Sequence, residues 1–243
     1  MSILLIPIAP LSKTKSRLRD CFSAKQLREL TIAMFHDLGN TLRDVKCFDK
    51  KIVYCNAPEI LEIAETYNLI GIKEELTTPR KTFDDVIKDL NNIAIKEYGA
   101  KQTVFTFLDI ILISVKNFYE INNLIKKNQL VVCPAIHSAG ISVLGRNPAD
   151  IMPSYFSDPN TPSLIALLNN AKKNGIEKIA IYDSFRAGFD IDIKEDLVLA
   201  YEYLRILELI DTDVFKFLKN NLKLSIKKTN VNNNRSFKIT KRG

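Results

Sequence analysis

Apolar residues follow two rhythms along this chain. Short runs at residues 2–8, 51–55, 103–109 and 130–134 are almost continuously apolar, as strands are when both faces are buried. Between them, longer segments repeat apolar residues every three or four positions, the spacing of a helix with one buried face. The spacing predicts strands at 2–8, 51–55, 70–72, 103–109, 130–134, 142–144 and 178–182. It predicts helices at 23–39, 58–68, 82–97, 115–127, 162–174 and 194–210. Ser23 is the expected N-cap of the first helix and Gly39 its stop. Strands that alternate with helices imply βαβ units. The expected fold class is therefore α/β: a single Rossmann-like, mostly parallel sheet with helices on both faces.

Composition changes this picture at one end only. The 243 residues are 46% hydrophobic and 26% charged, ordinary for a globular chain with a sizeable core. The formal net charge is +7, but nine Lys/Arg and no acid follow Asp213, which leaves −2 for the rest. The expected division is an α/β domain at 1–213 and a basic C-terminal extension at 214–243. Its Asn-rich end, 229–243, is expected to be disordered. A basic end can touch nucleic acid, yet no aromatic interleaving or recognised module accompanies it, so nucleic acid is not the expected partner. No apolar run is long enough for a bilayer, and the N-terminus lacks the basic region of a signal peptide. Four cysteines without a CxxC pair predict reduced thiols and a cytoplasmic protein rather than a disulfide framework.

The candidate chemistry lies at the expected carboxyl ends of strands, the ligand edge of open α/β sheets. In the stretch Ile181 to Leu197, Asp190 and Asp192 flank Ile191. If extended, both carboxylates face one side, where they repel unless a cation such as Mg²⁺ sits between them. The alternative is that they cap the following helix. Asp109 ends the 103–109 run and is a third candidate oxygen ligand. The glycine-free loop Pro7 to Leu18 carries Lys13, Lys15 and Arg17, which suit phosphate oxygens. Ser163 opens a predicted helix, where N–H groups attract anions, or else caps it.

These stretches resemble the 2-phospho-L-lactate guanylyltransferase (CofC-like) family of coenzyme F420 biosynthesis. That family has the nucleotide-diphospho-sugar transferase fold. Pro7 with Thr14-Lys-Ser-Arg-Leu18, Leu108-Asp109, and the Asp-Ile-Asp-x-x-x-Asp-Leu segment ending at Leu197 carry the likeness over about residues 3–228. The resemblance implies a Mg²⁺-dependent nucleotidyltransferase that joins GTP to 2-phospho-L-lactate, or to phosphoenolpyruvate, and releases pyrophosphate. It implies Pro7, Lys15, Arg17 and Asp84 at the nucleotide, and Ser163 at the phospho-acid. It assigns Asp109, Asp190 and Asp192 to catalysis and Mg²⁺, and it implies a homodimer.

Several family positions differ. Ala9 stands where the family has lysine, Asp109-Ile-Ile-Leu112 where it has Asp-Leu-Pro-Leu, and Ser138-Ala-Gly-Ile141 where it has Gly-Gly-Thr-Asn. Phe83-Asp84 replaces Leu-Asn near the base pocket, and Leu167 replaces the histidine four residues after Ser163. Metal and triphosphate chemistry with an altered base or acceptor is one expectation. The alternative is a catalytically degenerate nucleotide- or partner-binding member of the fold.

Overall fold

The computed structural model describes residues 1–11, 15–137, 139–228 and 235–241. Lys13, Thr14, Ser138 and residues 229–234 and 242–243 lie outside that description. Two compact units result: residues 1–9 with 38–190, and residues 10–37 with 191–243.

The first unit holds one seven-stranded sheet. Its strands are β1 (Ser2–Ile8), β2 (Lys50–Cys55), β3 (Ile70–Lys73), β4 (Gln102–Thr106), β5 (Leu130–Pro134), β6 (Ile141–Arg146) and β7 (Ile179–Ile181). The spatial order is β3-β2-β1-β4-β6-β5-β7, and all strands but β6 run parallel. The central strand β1 is buried on both faces, with Ile3, Leu4, Leu5 and Ile6 all at 0% exposure. Each such aliphatic side chain contributes on the order of 2 kcal/mol by burial. That is why its sequence is a continuous apolar run.

Helix α3 (Phe83–Lys96) covers one face with Ile87, Leu90 and Ala94, packed beside Leu5, Phe105 and Leu144. Helix α5 (Ser163–Lys173) joins the same core through Leu167 and Ala171. Helix α4 (Val115–Ile125) packs on β5 and β6 through Phe118, Ile121 and Ile125. Helix α2 (Pro58–Thr66) lies against β2 and β3. Gly145 in β6 leaves room for α4: a Cβ there would lie 3.2 Å from Ile125.

The order reverses between β1 and β4, since β2 and β3 lie on one side of β1 and β4 on the other. The carboxyl ends of β1 and β4 therefore form the switch point where such sheets take ligands.

The second unit contains most of α1 (Ala24–Arg43), with α7 (Lys194–Ile206), α8 (Asp213–Asn221) and a ribbon of β8 (Leu222–Lys228) and β9 (Arg235–Lys241). Phe22 and Phe217 meet at 5.2 Å between ring centroids, and Tyr201 stacks on Phe215 at 5.0 Å. Asp37 accepts hydrogen bonds from the first N–H groups of α8, Asp213 at 2.8 Å and Val214 at 2.9 Å.

In the segment expected as a basic extension, Val214, Phe215, Phe217 and Leu218 are buried in α8, and β8 pairs antiparallel with β9. Three expectations need correction. Helix α1 does not stop at Gly39. That glycine lets the Tyr67 ring approach, since a Cβ would meet ring atoms at 2.5 Å. Strand β4 ends at Thr106, so Asp109 lies three residues beyond it in a turn. A short helix, α6 (Phe185–Gly188), interrupts the stretch leading to Asp190.

Candidate functional site

In the second unit, the basic loop and the second aspartate of the Asp-Ile-Asp motif come together. Lys15 adopts left-handed backbone angles, φ 50° and ψ 40°. Its Nζ donates to the carbonyl of Ile191 at 2.5 Å and to Asp192 Oδ1 at 3.2 Å. Arg17 reaches the other oxygen of Asp192 at 3.3 Å. The Lys15 side chain is only 12% exposed, Asp192 39% and Arg17 70%. A pair of such open geometry contributes at most about 1 kcal/mol to stability. What the arrangement provides is two cationic side chains converging on a half-open surface.

Asp196 fixes this arrangement from below. It is 1% exposed, and its Oδ2 accepts from Asp192 N at 2.7 Å and Ile193 N at 2.8 Å at the start of α7. The capping role considered for Asp190 and Asp192 therefore falls to Asp196. The sequence does not announce this role, because Ile193 at the N-cap has no side-chain acceptor and the pair is not a capping box.

In the first unit, Asp109 and Asp190 are half-buried, Asp109 in a turn and Asp190 in an irregular segment after α6. Arg186, in α6, donates through Nε to Leu112 O at 3.0 Å, which ties the turn holding Asp109 to the helix preceding Asp190. Gly188 allows α6 to press on the end of β5. A Cβ there would stand 2.6 Å from Pro134 O, and Gly188 O accepts from Ile136 N at 2.9 Å. Tyr182 and Ser184 anchor the same turn to α4 through Asn117 Nδ2, at 2.8 and 3.1 Å. Burial raises the Tyr182 phenol above its usual range, and its bond to Glu120 does the same. It serves as a neutral donor here.

The remaining expected site residues fall as follows. Pro7 is a buried position of β1, opposite Tyr54 of β2. Asp84 sits at the start of α3, and its carboxylate is occupied. Oδ1 accepts from Ser154 Oγ at 2.5 Å and Phe156 N at 2.8 Å, and Oδ2 from Ser157 N at 2.8 Å. Ser163 is the first residue of α5. The N-cap is Pro162 and no side-chain hydrogen bond caps this helix, so the hydroxyl is not used for capping.

Among the described residues, no group of three or more His, Cys, Asp or Glu side chains is gathered to hold a metal ion. None of the four cysteines forms a disulfide. No helix among the described residues is long and apolar enough to cross a membrane.

The chain is similar to several known proteins. Over 196 residues the chain is 28% identical to the 2-phospho-L-lactate guanylyltransferase of Methanocaldococcus jannaschii, covering 79% of each. It is 27% identical to the enzyme of the same name from Methanocaldococcus vulcanius over 201 residues, covering 80% of this chain and 82% of that one. Among solved structures, a protein named as a nucleotide-diphospho-sugar transferase from Desulfovibrio desulfuricans G20 superposes with a TM-score of 0.72 at 13% identity. The match covers 90% of this chain and 94% of that one. A nucleotidyl transferase from Methanothermobacter thermautotroptrophicus gives 0.57 at 17% identity, over 91% and 99%. At these identities the structures establish the fold alone, a nucleotidyltransferase-type α/β sheet. The sequence also matches the profile described as Guanylyl transferase CofC like over residues 1–239, and the chain belongs to that family.

Proposed function

We propose that the protein is a nucleotidyltransferase of coenzyme F420 biosynthesis, acting in the cytosol. It would transfer a guanylyl group from GTP to 2-phospho-L-lactate, or to a related phospho-acid such as phosphoenolpyruvate, and release pyrophosphate. The observation that carries this reading is the convergence of Lys15 and Arg17 on Asp192. Two cations held on a short loop suit a triphosphate, and a planar guanidinium binds phosphate oxygens in pairs. Family membership and the names of the relatives support the same reading.

Phosphoryl chemistry of this kind asks for charge stabilisation and positioning more than for covalent help. Lys15 and Arg17 would hold the triphosphate, and in doing so exchange Asp192 for phosphate. Asp109 and Asp190 would hold Mg²⁺. Mg²⁺ usually takes one or two carboxylates and fills its shell with water and substrate phosphates. When bound, Mg²⁺ would neutralise charge developing on the phosphates. The hydroxyl of Ser163, at the start of α5, would face the phospho-acid.

The test is pyrophosphate release from each nucleoside triphosphate with Mg²⁺ and 2-phospholactate, phosphoenolpyruvate or 3-phosphoglycerate. Release that requires one nucleotide and one acceptor supports transfer and names both substrates. Nucleotide binding without release from any pair overturns it in favour of a binding-only member of the fold.

A further inference from the structure

We propose that Arg186 is a positioning residue of the reaction: its hydrogen bond to Leu112 O fixes the turn that carries Asp109 against the segment that carries Asp190. Both segments belong to the first unit. The turn follows β4 and is packed by Ile110, Leu112 and Ile113, all buried. Leu112 is at 0% exposure, so water cannot reach its carbonyl and the protein must supply the donor. That donor is Arg186 Nε, at 3.0 Å.

A second tie joins the same two segments, and the pair removes a freedom that either alone would leave. Asn117, in the first turn of α4, accepts from Ser114 N at 2.9 Å and Ser114 Oγ at 2.7 Å, where the Asp109 turn ends. Through Nδ2 it donates to Tyr182 OH and Ser184 Oγ, where α6 begins. A segment held at one point can pivot about it, and a second point stops the pivot. Arg186 is that second point. Gly188 N donates to Ser184 O at 2.9 Å, so α6 is a closed turn and passes the grip on to Phe189, at 0% exposure, and to Asp190. The guanidinium is half-buried, and among the described residues no carboxylate forms an ion pair with it. What the side chain contributes is therefore the bond rather than the charge. Groups that orient the residues serving a reaction act through such geometry, and losing one typically costs about tenfold to a hundredfold.

This rests on the proposed function in taking Asp109 and Asp190 as the carboxylates that hold a divalent cation. The test uses the full-length protein and three variants. Arg186→Gln keeps an N–H donor at the position of Nε and removes the charge. Arg186→Lys keeps the charge and moves the donor beyond that position, and Arg186→Met keeps the length and removes both. On samples shown to be folded by circular dichroism, Mn²⁺ affinity is read by electron paramagnetic resonance, and kcat and KM by pyrophosphate release. Arg186→Met is expected to weaken Mn²⁺ binding and to lower kcat by about tenfold each. The KM for GTP should stay within about twofold of wild type, since nucleotide binding falls to Lys15 and Arg17. Arg186→Gln is expected within about threefold of wild type in both readouts, and Arg186→Lys to fall with Arg186→Met. A purely structural role lowers the urea midpoint of Arg186→Met but leaves Mn²⁺ affinity and kcat of the folded protein at wild-type values, and that result overturns the inference. So does a loss in Arg186→Gln as large as in Arg186→Met, which recovery in Arg186→Lys would trace to the charge. So does a wild type that takes up no Mn²⁺. If Arg186→Met does not fold, the contrast between Arg186→Gln and Arg186→Lys decides. The two proposals fail separately. No release by wild type from any pair removes the transferase, while the order of Mn²⁺ affinities still upholds the positioning role. Release by Arg186→Met at the wild-type kcat upholds the transferase and removes the positioning role.

Discussion

Replacing Asp84 separates a loop clasp from a base reader, and the structure sets the size of the effect. Asp84→Ala removes the acceptor for Ser154 Oγ, Phe156 N and Ser157 N together. Ser154 is 2% exposed, so its hydroxyl loses a partner that water cannot readily replace. The Phe156 amide is partly buried, and the exposed Ser157 amide can turn to solvent. Two bonds to a charged acceptor are then lost without replacement, at about 1–2 kcal/mol each. Asp84 also offsets the burial of Arg146, whose pKa is pushed down to about 10 by desolvation against the pull of Asp150 and Asp84. The expected loss is about 3 kcal/mol, or about 6–12 °C in Tm for a chain of this size.

Asp84→Asn is the informative partner. Its Oδ1 can still accept from Ser154 and Phe156, and only the exposed bond to Ser157 is replaced by a poor contact. It should lose about 1 kcal/mol, roughly a third of the alanine effect. Urea unfolding followed by circular dichroism gives both numbers, and nucleotide affinities are measured on the same samples. The reasoning fails if Asp84→Ala unfolds within about 0.5 kcal/mol of wild type. It also fails if Asp84→Asn shifts the preference between GTP and ATP while stability stays unchanged, because a base reader would behave that way.

Asp37 carries a pH signature. Burial raises its pKa from 3.8 to about 6 against the two amide hydrogen bonds that lower it. A carboxyl with a raised folded pKa contributes stability that is complete below about pH 4 and lost as the pH rises through about 6. Wild type should gain up to about 3 kcal/mol over Asp37→Asn between pH 7 and pH 4, read from paired urea titrations. Gly188→Ala should lose about 1–3 kcal/mol, because its Cβ would strike a backbone carbonyl 2.6 Å away, and pyrophosphate release should fall as Phe189 and Asp190 shift. Asp196→Ala leaves the amides of Asp192 and Ile193 without their acceptor. A loss of about 1–3 kcal/mol is expected, with weaker binding of tripolyphosphate as Asp192 and its two cations lose their footing.

The alternation of strands and helices was legible because burial on both faces leaves a continuous apolar run, and β1 is its clearest case. The parallel sheet follows from that alternation. The antiparallel β6 does not, since Ile141–Arg146 has the same buried pattern whichever way it runs. Helix α8 was obscured by charge: its lysines dominate the composition, while Val214, Phe215, Phe217 and Leu218 carry the buried face. Gly39 and Gly188 mislead in a different way. Each suggests a stop or a turn locally, but each is a point of close approach to a group far away in sequence, Tyr67 or Pro134, which no local pattern reveals.

For the candidate site, the sequence shows which residues are chemically apt but not which are already engaged. Asp84 and Asp192 are equally plausible ligand groups on paper. In the fold Asp84 accepts from two amides and a hydroxyl, and Asp192 is matched by two cationic side chains. That difference decides their roles. Rigid amide donors cannot leave when a ligand arrives, so Asp84 shapes a loop. The exposed Arg17 can exchange a carboxylate for phosphate at little net cost, because exposed ion pairs contribute little to stability. The motif ending at Leu197 therefore contains two kinds of carboxylate. Asp192 is exchangeable and open to ligand chemistry. Asp196, buried and bonded to the backbone, keeps the exchangeable one in place.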